Sequence, residues 1–158
     1  MEMSETEKAY LAGFFDGEGS ISCHFNASGC IQLQMSLVNS YDAPLIRLHE
    51  LFGGSLFQCK RGPTGRKTLW RWTVVGKACQ LPLETLLPYL QLKKRRAEYG
   101  LGLLSLNGLP GQHADDSTTT KKMLLVTGIT ALNHAGELSD DDWAAHKLAN
   151  ADKRVLPQ

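Results

Sequence analysis

Apolar and polar residues alternate with a period of two along residues 20–26, 31–38 and 69–75. This alternation predicts β-strands with one apolar and one polar face. The first two stretches are separated by a short Ala-Ser-Gly turn sequence and predict a hairpin. Residues 55–60 precede a loop rich in glycine and form, with residues 69–75, a second predicted hairpin. Such strands are typical of an antiparallel sheet that packs on one side only.

Helical signals lie before, between and after the two hairpins. Ser4 and Glu7 form a capping box for a first helix that runs into Glu18. Asp42, followed by Pro44, begins a second helix. The later helical segments are residues 79–90, which contain two prolines, residues 91–106, residues 123–134 and a stretch from Ser139 onward. The order helix, hairpin, helix, hairpin, helices predicts an α+β fold.

The composition indicates a soluble globular protein in a single domain. The 158 residues are 42% hydrophobic and 21% charged, which is ordinary for such a chain. We expect a core at residues 1–106, a loop at 107–122, and C-terminal helices at 123–158 that pack on the same domain. The acidic start lacks the character of a signal or transit peptide, and no apolar run could span a membrane. We therefore expect an intracellular protein of the cytoplasm or nucleoid, or of an organelle matrix, and not a secreted one.

The charge distribution is uneven, although the formal net charge is only +1. The region from residue 60 to residue 96 contains a single carboxylate, Glu84. Its basic residues are Lys60, Arg61, Arg66, Lys67, Arg71, Lys77, Lys93, Lys94, Arg95 and Arg96. A basic middle region of this kind suits a polyanionic partner such as a nucleic acid.

The first helix is predicted to have one bulky side and one side of small residues. At helical spacing, Leu11, Phe14 and Phe15 fall on the bulky side. The small side comprises Ala9, Ala12, Gly13, Asp16 and Gly17. Two glycines weaken a helix by roughly 0.5–1 kcal/mol each relative to alanine. We therefore expect the small side to admit the backbone of another helix, with Asp16 in a packing or capping role.

Two stretches of the chain resemble a known family. Residues 11–19, LAGFFDGEG, resemble the motif that names the LAGLIDADG homing endonucleases. Residues 89–97, YLQLKKRRA, resemble the segment that carries the basic active-site lysine of this family. The resemblance covers roughly residues 8–135. It implies the αββαββα homing-endonuclease fold, with an antiparallel, saddle-shaped DNA-binding sheet and extra C-terminal helices.

The same resemblance implies a metal-dependent nuclease site. Glu18 is then a catalytic residue and a ligand of Mg²⁺ or Mn²⁺, and the Gly17 carbonyl is a second metal ligand. Lys93 would polarise the water network or stabilise the transition state. Ser40 stands where the family often has a longer polar residue that orders water, which would lower activity or mark an inactive relative.

One motif per chain implies a homodimer on a palindromic or nearly palindromic double-stranded target. The implied dimer interface comprises Ala12, Gly13, Asp16 and Gly17. The polar face of the sheet would lie in the major groove, where β-structure can contact base edges. The predicted DNA-binding residues are Ser22, His24, Asn26, Gln32, Gln34, Ser36, Gln58, Lys60 and Arg71.

These features favour a site-specific homing endonuclease that hydrolyses DNA phosphodiesters and is encoded by an intron, an intein or a phage element. An alternative is a non-cleaving relative, either a maturase that holds intron RNA or a DNA-binding regulator. A second alternative is a structural dimerisation domain. Glu18 and Lys93 favour the enzyme, because a protein that only binds needs neither residue.

Overall fold

The computed structural model describes residues 3–27, 30–59, 68–107 and 116–135. Its helices and strands, in chain order, are α1 (Glu5–Glu18), β1 (Gly19–Phe25), β2 (Ile31–Asn39), α2 (Ala43–Phe52), β3 (Ser55–Cys59), β4 (Leu69–Val75), α3 (Gln80–Leu86), α4 (Lys94–Asn107) and α5 (Asp116–Ala135). Two 3₁₀ turns, Gly76–Cys79 and Leu87–Tyr89, flank α3. The predicted order αββαββα is confirmed.

The four strands form one antiparallel sheet in the order β1-β2-β4-β3. One face of the sheet carries the core. In the central pair, Met35 lies opposite Val74 and Leu37 lies opposite Trp72, and all four side chains are buried. Because residues at i and i+2 point to the same side of a strand, this register turns the intervening polar residues away from the helices.

The junction between α1 and β1 is shaped by a close contact between Phe15 and Gly19. The Phe15 ring is fully buried, and a Cβ atom at Gly19 would lie 2.4 Å from its Cδ2 atom. Glycine is therefore needed for the chain to leave the helix and enter the strand at this point. At the other end of α1, Ser4 caps the helix by accepting a hydrogen bond of 3.2 Å from the Glu7 amide.

The turn between α2 and β3 uses a glycine pair. Gly53 and Gly54 have φ angles of 68° and 86°, a conformation that other residues rarely adopt. The Gly53 carbonyl accepts a hydrogen bond of 2.8 Å from the indole nitrogen of Trp72. The turn is thus fixed to the buried centre of β4.

The segments after β4 differ in their bounds from those predicted. The first forms α3 and two 3₁₀ turns, and α4 begins at Lys94, not at residue 91. The loop predicted at 107–122 is shorter, since α5 already begins at Asp116. Threonine only weakly disfavours helix, and packing of α5 on α4 and β1 overrides that preference. The helix predicted from Ser139 lies outside the described residues.

Phe25 lies on the core-side register of β1 but is not covered by the core. It pairs with Ile31 at the last position of the first hairpin, and its side chain is 62% exposed. The strand therefore extends beyond the part of the sheet that the helices cover. No helix among the described residues combines the length and apolar character that crossing a membrane requires.

Candidate functional site

The predicted catalytic carboxylate lies at the C-terminal end of α1. Glu18 is the last residue of the helix and is exposed. Gly19 pairs with Leu37, so the end of β2 and the turn after it lie at the same end of the sheet as Glu18. Ser40 lies in this turn and is exposed. The turn is held by Asn39, whose side-chain oxygen accepts a hydrogen bond of 2.9 Å from the Tyr41 amide.

Asp16 fixes the segment that leads into α4. Its side chain is only 7% exposed and accepts hydrogen bonds from the amides of Gln91 (2.6 Å), Leu92 (3.1 Å) and Lys93 (2.9 Å). A carboxylate before a helix also interacts favourably with the positive end of the helix dipole. This arrangement agrees with the packing or capping role expected for Asp16, and it explains why α4 starts only at Lys94.

The same segment places Lys93 beside the end of α1. The Lys93 carbonyl accepts a hydrogen bond of 3.0 Å from the Ala97 amide, and the Lys93 ammonium donates to the Asp16 carbonyl. Burial lowers the pKa of Lys93, and the charge of Arg96 lowers it further, whereas Asp16 and Glu18 act in the opposite direction. The structure therefore brings two predicted catalytic residues, Glu18 and Lys93, to the same end of α1.

The C-terminal end of α5 forms hydrogen bonds with α4, which begins just after Lys93, and with β1, which begins just after Glu18. Arg96 donates a hydrogen bond of 2.9 Å to the Leu132 carbonyl, and the Asn133 amide donates one of 2.8 Å to the Ile21 carbonyl in β1. Positive charge is favourable at a helix C-terminus. Neither residue was predicted to take part in the site. The basic run that contains Arg96 was visible in the sequence, but the direction of its side chain was not.

The predicted dimer interface is only partly available on the surface of the chain. Ala12 is fully buried and Asp16 almost so, so the prediction is wrong for these two residues, which face their own domain. Gly13 and Gly17 are exposed, and no atom lies within 4 Å of a Cβ built on either. The buried side of α1 therefore differs from the predicted bulky side. It includes Asp16, which points inward to the segment before α4. Tyr10 is exposed beside the glycines and stacks on Phe14, with ring centroids 6.3 Å apart.

The outer face of the sheet is the side that points away from the core. In β1 and β2, Ser22 lies opposite Gln34 and His24 lies opposite Gln32, while Ser20 and Ser36 share a hydrogen bond of 2.9 Å. Residues directly opposite each other project to the same side, so these positions agree with the predicted polar face. By register, the outer face comprises Ser20, Ser22, His24, Gln32, Gln34, Ser36, Val38, Ser55, Phe57, Cys59, Leu69, Arg71, Thr73 and Val75.

Two other predicted DNA-binding residues, Asn26 and Gln58, are placed differently. Asn26 follows β1, and its side chain accepts a hydrogen bond of 2.9 Å from the Cys30 amide within the hairpin. Gln58 does not have the predicted outward position: it lies opposite Trp70, on the core-side register of β3, although its side chain is exposed. Burial of Trp72 fixes this register and gives the outward position to Phe57. Lys60 lies outside the described residues.

The strands are free of negative charge. None of β1, β2, β3 and β4 contains an aspartate or a glutamate, and Arg71 is exposed on the outer face. A surface of hydroxyl, amide and guanidinium groups can donate hydrogen bonds to phosphates and base edges without repelling the phosphates.

The groups at the end of α1 suit a hard divalent cation. The Glu18 carboxylate is exposed, and the carbonyls of a last helical turn have no intrahelical partners and carry the negative end of the dipole. Magnesium prefers oxygen ligands and keeps several bound waters. Within the described residues, no three His, Cys, Asp or Glu side chains cluster as a metal site would require. Glu18 and Gly17 are thus chemically suitable ligands that do not complete a coordination shell.

No protein-family model and no curated protein matches the sequence. Solved structures do match it. The homing endonuclease I-CvuI, in complex with its target in the presence of 2 mM Ca, is 26% identical, with a TM-score of 0.63 over 80% of this chain and 82% of I-CvuI. The archaeal intron-encoded homing endonuclease I-Vdi141I, complexed with DNA, is 17% identical, with a TM-score of 0.64 over 90% of this chain and 94% of that protein. The LAGLIDADG homing endonuclease I-SmaMI, bound to cleaved DNA, is 21% identical, with a TM-score of 0.61 over 94% of this chain and 50% of that protein.

Three findings agree on the identity of the fold. The element order is αββαββα, the motif of residues 11–19 spans the junction of α1 and β1, and I-CvuI resembles the chain over most of both lengths. The motif occurs once in the 158 residues. The chain has the fold of the LAGLIDADG homing endonucleases and carries their motif once, as single-motif members of that family do.

Proposed function

We propose that the protein is a site-specific, divalent-metal-dependent DNA endonuclease of the homing type that acts as a homodimer. The observation that carries this proposal is the position of Lys93, whose ammonium donates to the Asp16 carbonyl in the last turn of α1, near exposed Glu18 and at one end of a sheet whose strands have no carboxylates. I-CvuI was crystallised with DNA in the presence of Ca or Mg. These related structures support a DNA substrate and a divalent cation for this chain.

Recognition is assigned to the outer face of the sheet. Amide and hydroxyl side chains on β1 and β2 can donate to and accept from base edges, and Arg71 can contact guanine or phosphate. A twisted sheet fits the major groove, which is wide enough for β-structure. The sheet thus orients the duplex so that its backbone passes the end that carries Glu18.

Hydrolysis is assigned to the residues at the end of α1. Glu18 and the Gly17 carbonyl would hold the divalent cation, which when bound supplies positive charge and lowers the pKa of a coordinated water. The Lys93 ammonium would stabilise negative charge on the phosphate oxygens in the transition state. The water oxygen bonds to phosphorus while the bond to the 3′ oxygen breaks. Asp16 does not touch the reacting atoms; it positions Lys93 through the backbone.

A second copy of the chain completes the site. One chain offers one Glu18, and a double-strand break requires two hydrolysis events on opposite strands. Gly13 and Gly17 leave open space on the exposed side of α1, which allows the helix of a partner to approach closely. Twofold symmetry then places the two Glu18 carboxylates near the axis and predicts a nearly palindromic target.

The test is cleavage of a plasmid that carries the joined flanks of the genetic element encoding the chain. With Mg²⁺ we expect a double-strand break that EDTA prevents and that Glu18→Gln abolishes. Glu84→Gln is the matched control, since Glu84 is an exposed carboxylate on α3 that interacts with Gln80. Tight binding of intron RNA without DNA cleavage would instead establish the maturase alternative.

A further inference from the structure

We propose that a row of three outer-face residues, Val38, Arg71 and Phe57, recognises a guanine and an adjacent thymine methyl group. We call these three residues the apolar–arginine row. The proposal rests on the proposed function, because it assigns base specificity to one part of the same sheet. The polar pattern of the strands predicted Arg71 as a DNA-binding residue, but it did not predict Val38 or Phe57.

The sheet register places the three residues side by side. Val38 in β2 lies opposite Arg71 in β4, and Arg71 lies opposite Phe57 in β3. Directly opposed residues have Cβ atoms about 4.5–5.5 Å apart. Phe57 is 47% exposed, Arg71 is exposed and Val38 is partly exposed. The base of the Arg71 side chain therefore lies between two apolar residues on the face that points away from the core.

The row on the side away from Glu18 has a different chemistry. The adjacent row contains only hydroxyl groups, from Ser20, Ser36, Thr73 and Ser55. Exposing a phenylalanine beside a valine next to this polar row is unfavourable in water. An apolar contact on the partner would offset that cost, and the thymine 5-methyl is the apolar group that the major groove presents. Arginine is the commonest side chain to contact guanine O6 and N7.

A DNA duplex fits this surface better than a protein partner does. The apolar side chains flank a cation, and the four strands carry no aspartate or glutamate to pair with basic residues of a partner. The positive charge complements phosphate, and a duplex provides phosphate, guanine acceptors and methyl groups within one groove. RNA lacks this combination, because uracil has no 5-methyl group. The row therefore favours DNA over the intron RNA of the maturase alternative.

The register also predicts where in the target the row acts. Val38 follows Leu37, the partner of Gly19, so the row lies at the end of the sheet that carries Glu18. Rows two residues apart are separated by about 6.8 Å, which corresponds to roughly two base-pair steps. The recognised guanine and thymine should therefore be among the base pairs of each half-site nearest the cleavage position.

The experiment begins by selecting binding sites for the wild-type protein from a randomised 24-base-pair duplex library without Mg²⁺. The selected duplex is then made again with deoxyuridine in place of each thymidine, one position at a time. At one inner position of each half-site, loss of the methyl group should weaken binding about fourfold, equivalent to roughly 0.8 kcal/mol for one buried methyl. Outer thymidines should show no such change.

Phe57→Ala should bind the thymidine and deoxyuridine duplexes equally at that inner position. Phe25→Ala is the matched control, because Phe25 is also exposed but lies on the core-side register of β1; it should keep the fourfold ratio. A selected site whose inner positions are insensitive to deoxyuridine in the wild type overturns the proposal and leaves the proposed function intact. Failure to select any site overturns both. The wild-type comparison decides the question even where Phe57→Ala does not fold.

Discussion

At the scale of single residues, the site depends on one lysine whose environment opposes its charge. Burial and the nearby Arg96 both lower the pKa of Lys93. The ammonium is nevertheless held by the Asp16 carbonyl, and the two neighbouring carboxylates favour the charged form. In the proposed mechanism the charged form is the active one. The pH dependence of cleavage should therefore report on this residue.

We predict that Lys93→Arg changes the alkaline side of the pH profile. As pH rises through the lowered pKa of Lys93, the ammonium loses its proton and the wild-type rate should fall. Arginine keeps its charge because its pKa exceeds about 12. The ratio of wild-type to Lys93→Arg single-turnover rates should consequently decrease with rising pH. Taking the ratio removes the separate effect of pH on the attacking water.

Lys94→Arg is the control for this measurement. Lys94 is the next residue and is exposed, so its ratio to the wild type should stay constant with pH. A wild-type to Lys93→Arg ratio that increases with pH would contradict the proposed role. In that case the neutral amine would be the active form, and Lys93 would act as a base.

Residue positions were predictable from the sequence where a motif or a strand period fixed them. The positions of Glu18 and Arg71 follow from the end of a helix and from alternation. The inward direction of Asp16 does not, because its partners are amides 75 or more residues away in the chain. Gln58 was misplaced for a related reason. From the sequence alone, either set of alternate residues in the short strand β3 could face the core. Only the burial of Trp72, which lies opposite Leu56, decides which set does so.

At the scale of secondary-structure elements, the proposed active site depends on the link between α1 and α4. Asp16 connects the last turn of α1 to three consecutive amides before α4. Tyr89 makes a second link, since its hydroxyl donates to Glu5 at the other end of α1. The two helices are thereby joined at residues 89 and 91–93, immediately before and at Lys93.

We predict that Asp16→Asn destabilises the protein by about 2–4 kcal/mol. Asparagine has nearly the same shape but only one acceptor oxygen, and its amide group would face backbone N–H donors in a buried site. The free energy of unfolding in urea measures the loss. Asp42→Asn is the control, because Asp42 precedes α2 without making a capping hydrogen bond, and should change stability by less than about 0.5 kcal/mol. Equal stabilities of the two variants would show that Asp16 does not hold α4.

Strands were predicted more accurately than helix ends. Period-two alternation arises because one face of a strand is buried and the other is exposed. It is therefore visible in the sequence of any strand that contacts the core on one face only. Helix ends depend on interactions with distant segments, as the delayed start of α4 shows. The early start of α5 at Asp116 was missed because a threonine run resembles a loop. Its helical state follows from packing on α4 and β1, which the local sequence does not encode.

At the scale of the whole molecule, the exposed glycines of α1 have no explanation within a single chain. Gly13 and Gly17 have helical neighbours and open space where a side chain would project. Alanine at either position would stabilise an isolated helix by roughly 0.5–1 kcal/mol. Gly19 differs, because the Phe15 ring excludes any side chain there. The two exposed glycines are accounted for if a second copy of α1 packs against them.

We predict that Gly13→Leu yields a folded monomer that neither dimerises nor cleaves DNA. A leucine side chain would occupy the space through which the partner helix approaches, but it raises helix propensity by almost 1 kcal/mol relative to glycine. Loss of dimer with unchanged or increased chain stability therefore distinguishes an interface defect from misfolding. Sedimentation velocity at micromolar concentration measures the first quantity, and urea unfolding of the monomer measures the second.

Ala78→Leu provides the comparison on another surface, since Ala78 is exposed in the 3₁₀ turn after β4. This variant should remain dimeric and active, because it adds the same side chain away from α1. A wild-type monomer, or a Gly13→Leu variant that still dimerises, would exclude this face of α1 as the interface. The twofold site would then have to be built elsewhere, and the Glu18 carboxylates of two chains would no longer meet. The proposed dimer interface and the proposed active site are therefore tested together, because the same helix would supply both.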